Sequence, residues 1–419
     1  MMCPAHFRYG AYLSREQVAE LVSPHPETLR LVRSWLSDHG IKPSSISTTH
    51  GGSWLTVIDV LVSQANQLLG ASYQMYRNSK TNDTIVRTVS YALPMVLHSH
   101  IQTVTPTTYF PSTRWMQGTS RRRSFGASPE QAHAASGKVV TTRQVPGMTP
   151  SALRWLYNTS SYTPTVPQRN KLGILGIDDD YPGELDLTRF MEIYRSDAID
   201  ADFSVEQLNG AEYNPRNPGY FANFGIQYAA AMTYPTPLIF YSVGGDKEWN
   251  HRGFPTTRDM YSTWLAKVLG EKSPPQTISI VYGEYERDLP VDYAAVLCNL
   301  FARLGSRGVT VLVASGQDGV GAGDCLYADE IVRFIPEFPS SCTCGVLWSL
   351  PCSRQMKVHV AHQTAMVFRS LCHQRGRYCA VPPRDSSEPL RRRILALLWE
   401  TALPALCGER VSAEVPRPL

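Results

Sequence analysis

"TISIVYGEYERDLPVDYAAVLCNLFARLGSRGVTVLVASG", residues 277–316, carries the reading of the fold. It opens on the apolar run "TISIVYG" (277–283) and closes on a second, "VTVLVAS" (309–315), both rich in β-branched residues. Between them "VDYAAVLCNLFARLGSRG" (291–308) repeats apolar residues at helical spacing and stops on glycine. Two parallel strands need a crossover of a dozen or more residues, and this helix supplies it. The same alternation runs upstream. "KLGILGI" (171–177) and "PLIFYSVG" (237–244) are short apolar runs suited to buried strands. "LDLTRFMEIYRS", "GYFANFGIQYAAAMTY" and "RDMYSTWLAKVLG" have helical spacing. From Met148 onward the chain therefore reads as an α/β domain with a mostly parallel sheet.

The first hundred residues follow a different pattern. "SREQVAELV" and "PETLRLVRSWLSDHG" are amphipathic helices, the first with Ser14 as N-cap, the second stopped by Gly40. "SWLTVIDVLV", "YQMYRN" and "TIVRTVSYALP" read as strands, with "VSQANQLLG" a helix between the first two. This is an α+β unit with antiparallel packing. Residues 116–147 are rich in Ser, Gly, Ala and Arg without apolar periodicity and read as an exposed, protease-sensitive linker. After Cys342 the alternation ends. Residues 343–419 read as a disordered tail, basic and rich in Cys and Arg, of the kind a reading-frame or splice artefact leaves.

Charge excludes some functions. The tail holds 11 Lys and Arg against 5 Asp and Glu, which leaves the rest of the 419-residue chain slightly acidic despite an overall +4. A basic nucleic-acid groove is not expected. Neither is a membrane span, because no stretch of eighteen or so uncharged apolar residues occurs. The N-terminus lacks the pattern of a secretory signal, so cytoplasmic retention is one expectation. The sequons at Asn82 and Asn158 point weakly the other way, as glycosylation candidates. Among Cys298, Cys325 and Cys342 one disulfide is expected if the chain is exported, with Cys325–Cys342 as first choice; in the cytosol they would be buried thiols.

Several chemical motifs reduce to simpler readings. The loop Gly316–Gly323 lacks the lysine of a phosphate cradle and reads as a turn needing glycines. Asp178, Asp179 and Asp180, and Glu284 with Glu286, read as solvated turns at strand ends. His359, His362, Cys372, His373 and Cys379 match no zinc-site spacing.

Long stretches nevertheless carry a family resemblance. "HFRYGAYLSREQVAELVSPHPETLRLV", "THGGSWLTV", "VSQANQLLGASYQMYR" and "VSYALPMVLHSHIQTVTPTTYF" resemble the activation prodomain of sedolisins, the serine-carboxyl peptidases that include fungal tripeptidyl peptidases. "MTPSALRWLYNTSSYTP", "LGILGI", "IQYAAAMTYPTPLIFYS", "PQTISIVYGEYE", "YAAVLCNLFARLGSRGVTVLVASG" and "FIPEFPSSC" resemble the first half of their catalytic domain. The resemblance implies a prodomain over 5–115 with a ferredoxin-like antiparallel sheet and helices. The linker at 116–147, a truncated subtilisin-like parallel-sheet domain at 148–342 and the tail would follow.

The resemblance also implies an extracellular zymogen working in acid by a Ser-Glu-Asp arrangement, with calcium bound. A glutamate is the base, an aspartate one helical turn later orients it, and a further aspartate faces the oxyanion. These positions fall on Phe221, Gly225 and Gln317. A phenyl ring accepts no proton and glycine has nothing to aim. The amide of Gln317 retains a hydrogen-bond donor. No segment after Cys342 resembles the family's nucleophile or its calcium site, and the lone Gly118-Thr119-Ser120 lies in the linker. The resulting expectation is a catalytically inactive homologue without cofactor, whose partners are peptides or an intact sedolisin. Two alternatives remain: an active secreted acid peptidase releasing tripeptides, and a prodomain acting in trans as inhibitor or chaperone.

Overall fold

The computed structural model describes residues 10–77, 84–110, 149–177, 180–244, 259–314, 336–342 and 346–348. The N-terminal part holds α1 (Arg15–Leu21), α2 (Pro26–Asp38), β1 (Ile46–Thr49), β2 (Trp54–Val57), α3 (Val62–Leu69), β3 (Gln74–Arg77) and β4 (Thr84–Arg87). Ser14 caps α1 as the sequence suggests: its hydroxyl accepts from Gln17 N, and the Gln17 side chain accepts from Ser14 N. Gly40, with φ near 76°, turns the chain just after α2.

One prodomain sheet was expected; two appear among the described residues. β1 pairs with β2 and β3 with β4, both antiparallel, as two separate two-stranded sheets. Each strand is four residues long; three positions of β1 and of β3 face solvent against one of β2 and of β4, and the β1–β2 ladder rests on a helix-built core rather than on a broad sheet. That core joins Val32, Leu36, Ile41 and Leu97 to Trp35, Leu55, Val57 and Leu68.

The larger part contains α4 (Pro150–Leu156), β5 (Leu172–Ile177), α5 (Glu184–Tyr194), β6 (Ser204–Leu208), α6 (Tyr220–Thr233), β7 (Leu238–Val243), α7 (Met260–Gly270), β8 (Thr277–Ile280), β9 (Glu284–Tyr285), α8 (Val291–Ser306), β10 (Thr310–Ala314), β11 (Glu337–Phe338) and β12 (Val346–Trp348). Six strands form one parallel sheet in the order β12-β10-β8-β5-β7-β6. β5 and β7 are buried along their whole length, as strands covered on both faces must be.

Side-chain alternation divides the core. Leu175, Ile177, Tyr241, Val243, Ile278, Ile280, Val311 and Val313 face α7 and α8, with Trp264 and Phe301 in the interior. Leu172, Ile174, Leu238 and Phe240 face the other way, against Leu187 and Met191 of α5 and Ile226 and Ala230 of α6. Two elements depart from the sequence reading. β6, an edge strand, was not anticipated because it mixes Ser, Glu and Gln with its apolar residues. β12 lies beyond Cys342, where regular structure had been expected to stop; its three residues extend the sheet beside β10.

The disulfide also differs. Cys342 pairs with Cys298 of α8, not with Cys325, across a Cα–Cα separation of 5.3 Å. β11 runs antiparallel to β9, and that pairing brings the following turn back over α8. Cys325 lies outside the described residues.

The two parts meet along a mixed seam. Leu13 N donates to Ser306 O, Arg15 Nη1 to Gly270 O, and Arg303 Nη1 to Ser53 Oγ. Deeper in, Thr105 Oγ1 donates to Asp259 Oδ2 at 3.2 Å and Tyr109 OH to Glu284 Oε2 at 2.7 Å. The Tyr109 ring stacks on Tyr293, whose hydroxyl donates to Asp259.

Candidate functional site at the carboxyl edge of the sheet

In open α/β sheets ligands gather where strands end at their carboxyl edges. Here β5 leads to Asp180, β8 leads to Tyr282, and α6 begins between them at Tyr220. Asp180 was read as part of a solvated turn, yet it is largely enclosed. Its Oδ2 accepts from Ala222 N at 2.9 Å and from the Tyr282 hydroxyl at 2.5 Å. Ala222 is the third residue of α6, so this carboxylate from a distant segment satisfies a donor that the helix cannot satisfy itself. Burial pushes its carboxyl up from the ordinary aspartate range, and the bonds from Tyr282 and the helix backbone offset part of that rise.

Glycine permits this approach. A Cβ on Gly219 would lie 1.4 Å from Asp180 Oδ1, where no atom fits. The start of α5 is joined to α6 as well: Asn223 Nδ2 donates to Asp186 Oδ2, Gly183 N to Asn223 Oδ1, and Gln227 Nε2 to Asp186 O.

Phe221 and Gly225 stand one turn apart on α6. The Phe221 ring packs edge-on to Tyr282 at 5.9 Å and joins the core on the α7–α8 side of the sheet. Gly225 sits against β5, where a Cβ would meet Ile174 Cγ2 at 3.3 Å. Among the described residues two carboxylates are bonded at this end of α6: Asp180, which serves as a cap, and Asp186, which accepts from Asn223. Gln317 lies outside the described residues, as do Asp178, Asp179 and the loop Gly316–Gly323.

Glu284, also read as a solvated turn, is 3% exposed and holds the Tyr109 hydroxyl across the seam. Neither Asp180 nor Glu284 could be recognised as buried from local sequence, because their partners lie 102 and 175 residues away. Calcium is implied by the family resemblance. Among the described residues no group of three or more His, Cys, Asp or Glu side chains converges as metal ligands would. No helix among them is long and apolar enough to cross a membrane.

Comparison with known proteins follows this architecture. The family described as Pro-kumamolisin, activation domain, matches residues 1–110. Over 353 residues the chain is 30% identical to the probable tripeptidyl-peptidase SED3 of Arthroderma benhamiae, covering 81% of this chain and 57% of that protein. It is 28% identical over 358 residues to the tripeptidyl-peptidase SED2 of Arthroderma otae, covering 81% and 58%. Among solved structures it is similar to Pseudomonas sedolisin, a serine-carboxyl proteinase complexed with pseudo-iodotyrostatin. That match has 16% identity, covers 48% of this chain and 53% of that one, and has a TM-score of 0.35. A prodomain joined to a parallel α/β body thus has its relatives among the fungal tripeptidyl peptidases. The chain belongs to the sedolisin family, as a homologue of the fungal tripeptidyl peptidases. It spans somewhat under three fifths of the length of these relatives.

Proposed function

We propose that this chain is a non-catalytic member of its family, a prodomain clamped to a parallel-sheet body, and that it works by binding. The α6 face carries the reading. In the family arrangement a base there takes the proton of the attacking hydroxyl, and its orienting acid stands one turn on. Phe221 fills the first position with packing against Tyr282, and Gly225 leaves the second without a side chain. Loss of a triad base lowers turnover by something on the order of 10⁴–10⁶. Asp180 is no substitute, since its carboxyl already holds the start of α6 and Tyr282.

The names of its relatives favour a second reading, an acid peptidase that releases tripeptides. An assay with a tripeptide-releasing fluorogenic substrate separates the two, run from pH 3 to pH 7 before and after cleavage of the linker. The non-catalytic reading expects no signal above buffer in any arm. Substrate-saturable release from linker-cleaved protein would establish the peptidase instead.

The binding partner we assign is a peptide or an intact family member. The docked arrangement supports this, because Thr105 and Tyr109 present hydroxyls to carboxylates of the body, a pairing a relative's body can offer in trans. The Cys298–Cys342 disulfide supports an extracellular location, since such bonds persist in oxidising compartments.

A further inference from the structure

We propose that Asn158 carries an N-linked glycan whose first sugar lies over the indole of Trp155. The sequon Asn158-Thr159-Ser160 follows directly on α4. Asn158 has φ near 54°, a left-handed turn position that asparagine adopts readily, and that alone would explain the residue. Three further observations point to a sugar.

The first is accessibility. Asn158 and Ser160 are both exposed. The second is order. Asn158 N donates to Trp155 O at 3.1 Å and Thr159 N to Arg154 O at 2.7 Å. Arg154 Nη2 then donates to Ser160 O at 3.0 Å and to Tyr162 O at 2.7 Å, so one guanidinium holds the whole turn. The third is the exposed apolar surface beside it. Trp155 is 73% exposed and Tyr162 63%. Tryptophan is highly buried on average, and these two rings flank the sequon on either side. Trp155 precedes Asn158 by three residues, and the bond from Asn158 N to the Trp155 carbonyl closes the turn and holds the two residues close together. The apolar C–H face of a pyranose covers an indole in that position and removes its surface from water.

This rests on the extracellular reading above, which the disulfide supports and which takes the chain through an oxidising compartment where oligosaccharide transfer takes place. The donor is an oligosaccharide carried on a lipid diphosphate. Asn158 Nδ2 bonds to C1 of the sugar as the C1–O bond to the diphosphate breaks; the lipid diphosphate leaves and the amide gives up one proton. Asn82 lies outside the described residues.

The test uses the full chain made in yeast behind a secretion leader, recovered from the endoplasmic reticulum fraction or the medium. Enzymatic deglycosylation in heavy-oxygen water converts a glycosylated Asn158 to labelled Asp, read on its peptide by mass spectrometry. We expect the label at position 158 and its loss in Asn158→Gln. Trp155→Ala should lower the melting temperature by a few degrees in the glycosylated protein and leave it unchanged in the Asn158→Gln background. An unlabelled Asn158 peptide would overturn the site. An equal shift in both backgrounds, or in neither, would overturn the stacking.

Discussion

At the scale of single residues, Asp180 shows how a carboxylate at a strand end can be taken up by structure. The carboxylate at the end of β5 joins α6 to Tyr282, and Gly219 leaves the space it needs. Gly219→Ala should therefore displace Asp180 and cost about 1–2 kcal/mol, the range of a lost helix cap, in urea unfolding. Gly219 is extended rather than left-handed, so the cost comes from the clash alone. An unchanged denaturation midpoint would show that Asp180 is not the cap. The aspartate run 178–180 looks like a solvated turn in sequence, and so does Glu284. Which acidic residue is enclosed depends on what packs on it from a hundred residues away, and no local pattern carries that information. That Phe221 and Gly225 stand one turn apart on a helix was legible, because the periodicity of α6 is plain. What Phe221 packs against was not.

At the scale of elements, the strands and helices of the α/β part were read well because apolar runs of four to six residues alternate with amphipathic helices. The misses have physical causes. β6 is an edge strand, covered on fewer sides and so freer in composition, and β12, at the other edge, is only three residues long. Of the prodomain strands, β1 is cut to four residues by a 3₁₀ turn on either side, and β2 ends in a bend. The disulfide was misassigned because connectivity depends on β9–β11 pairing, which sequence spacing does not reveal. It closes a loop with a sequence separation of 44, and Cys298→Ser should cost about 2–4 kcal/mol, read as a lower midpoint in denaturant. Restoring an acid on α6 tests that element in the other direction. Phe221→Glu removes a ring from the core and sets a charge beside the Asp180 carboxyl, which accepts from the backbone at position 221. A loss of about 1–3 kcal/mol is expected, with no gain of activity. A variant as stable as the parent would mean the position is still built for a carboxylate.

At the scale of the molecule, the seam between prodomain and body sets the pH behaviour. Burial raises the Asp259 carboxyl above its ordinary range, although Tyr293 and Thr105 donate to it. A carboxyl raised by folding stabilises most below its unfolded value, near 3.8 for aspartate, and that contribution fades as pH climbs through its folded value. Exposed Glu16 and Asp197, lowered by their hydrogen bonds and by neighbouring arginines, pull weakly the other way. The seam should thus tighten in acid. After proteolysis in the linker, the N-terminal fragment should co-elute with the body at pH 4 and separate more readily at pH 7.5, and Asp259→Asn should reduce that difference. Easier separation in acid would reverse the assignment.

One measurement bears on the central claim most directly. A denatured protein substrate is incubated at pH 3–5 with the linker-cleaved chain, and every released peptide is sequenced by mass spectrometry against a blank. The account predicts the same peptides in both, at the same rate. New termini that accumulate with enzyme concentration, spaced three residues apart, would contradict it.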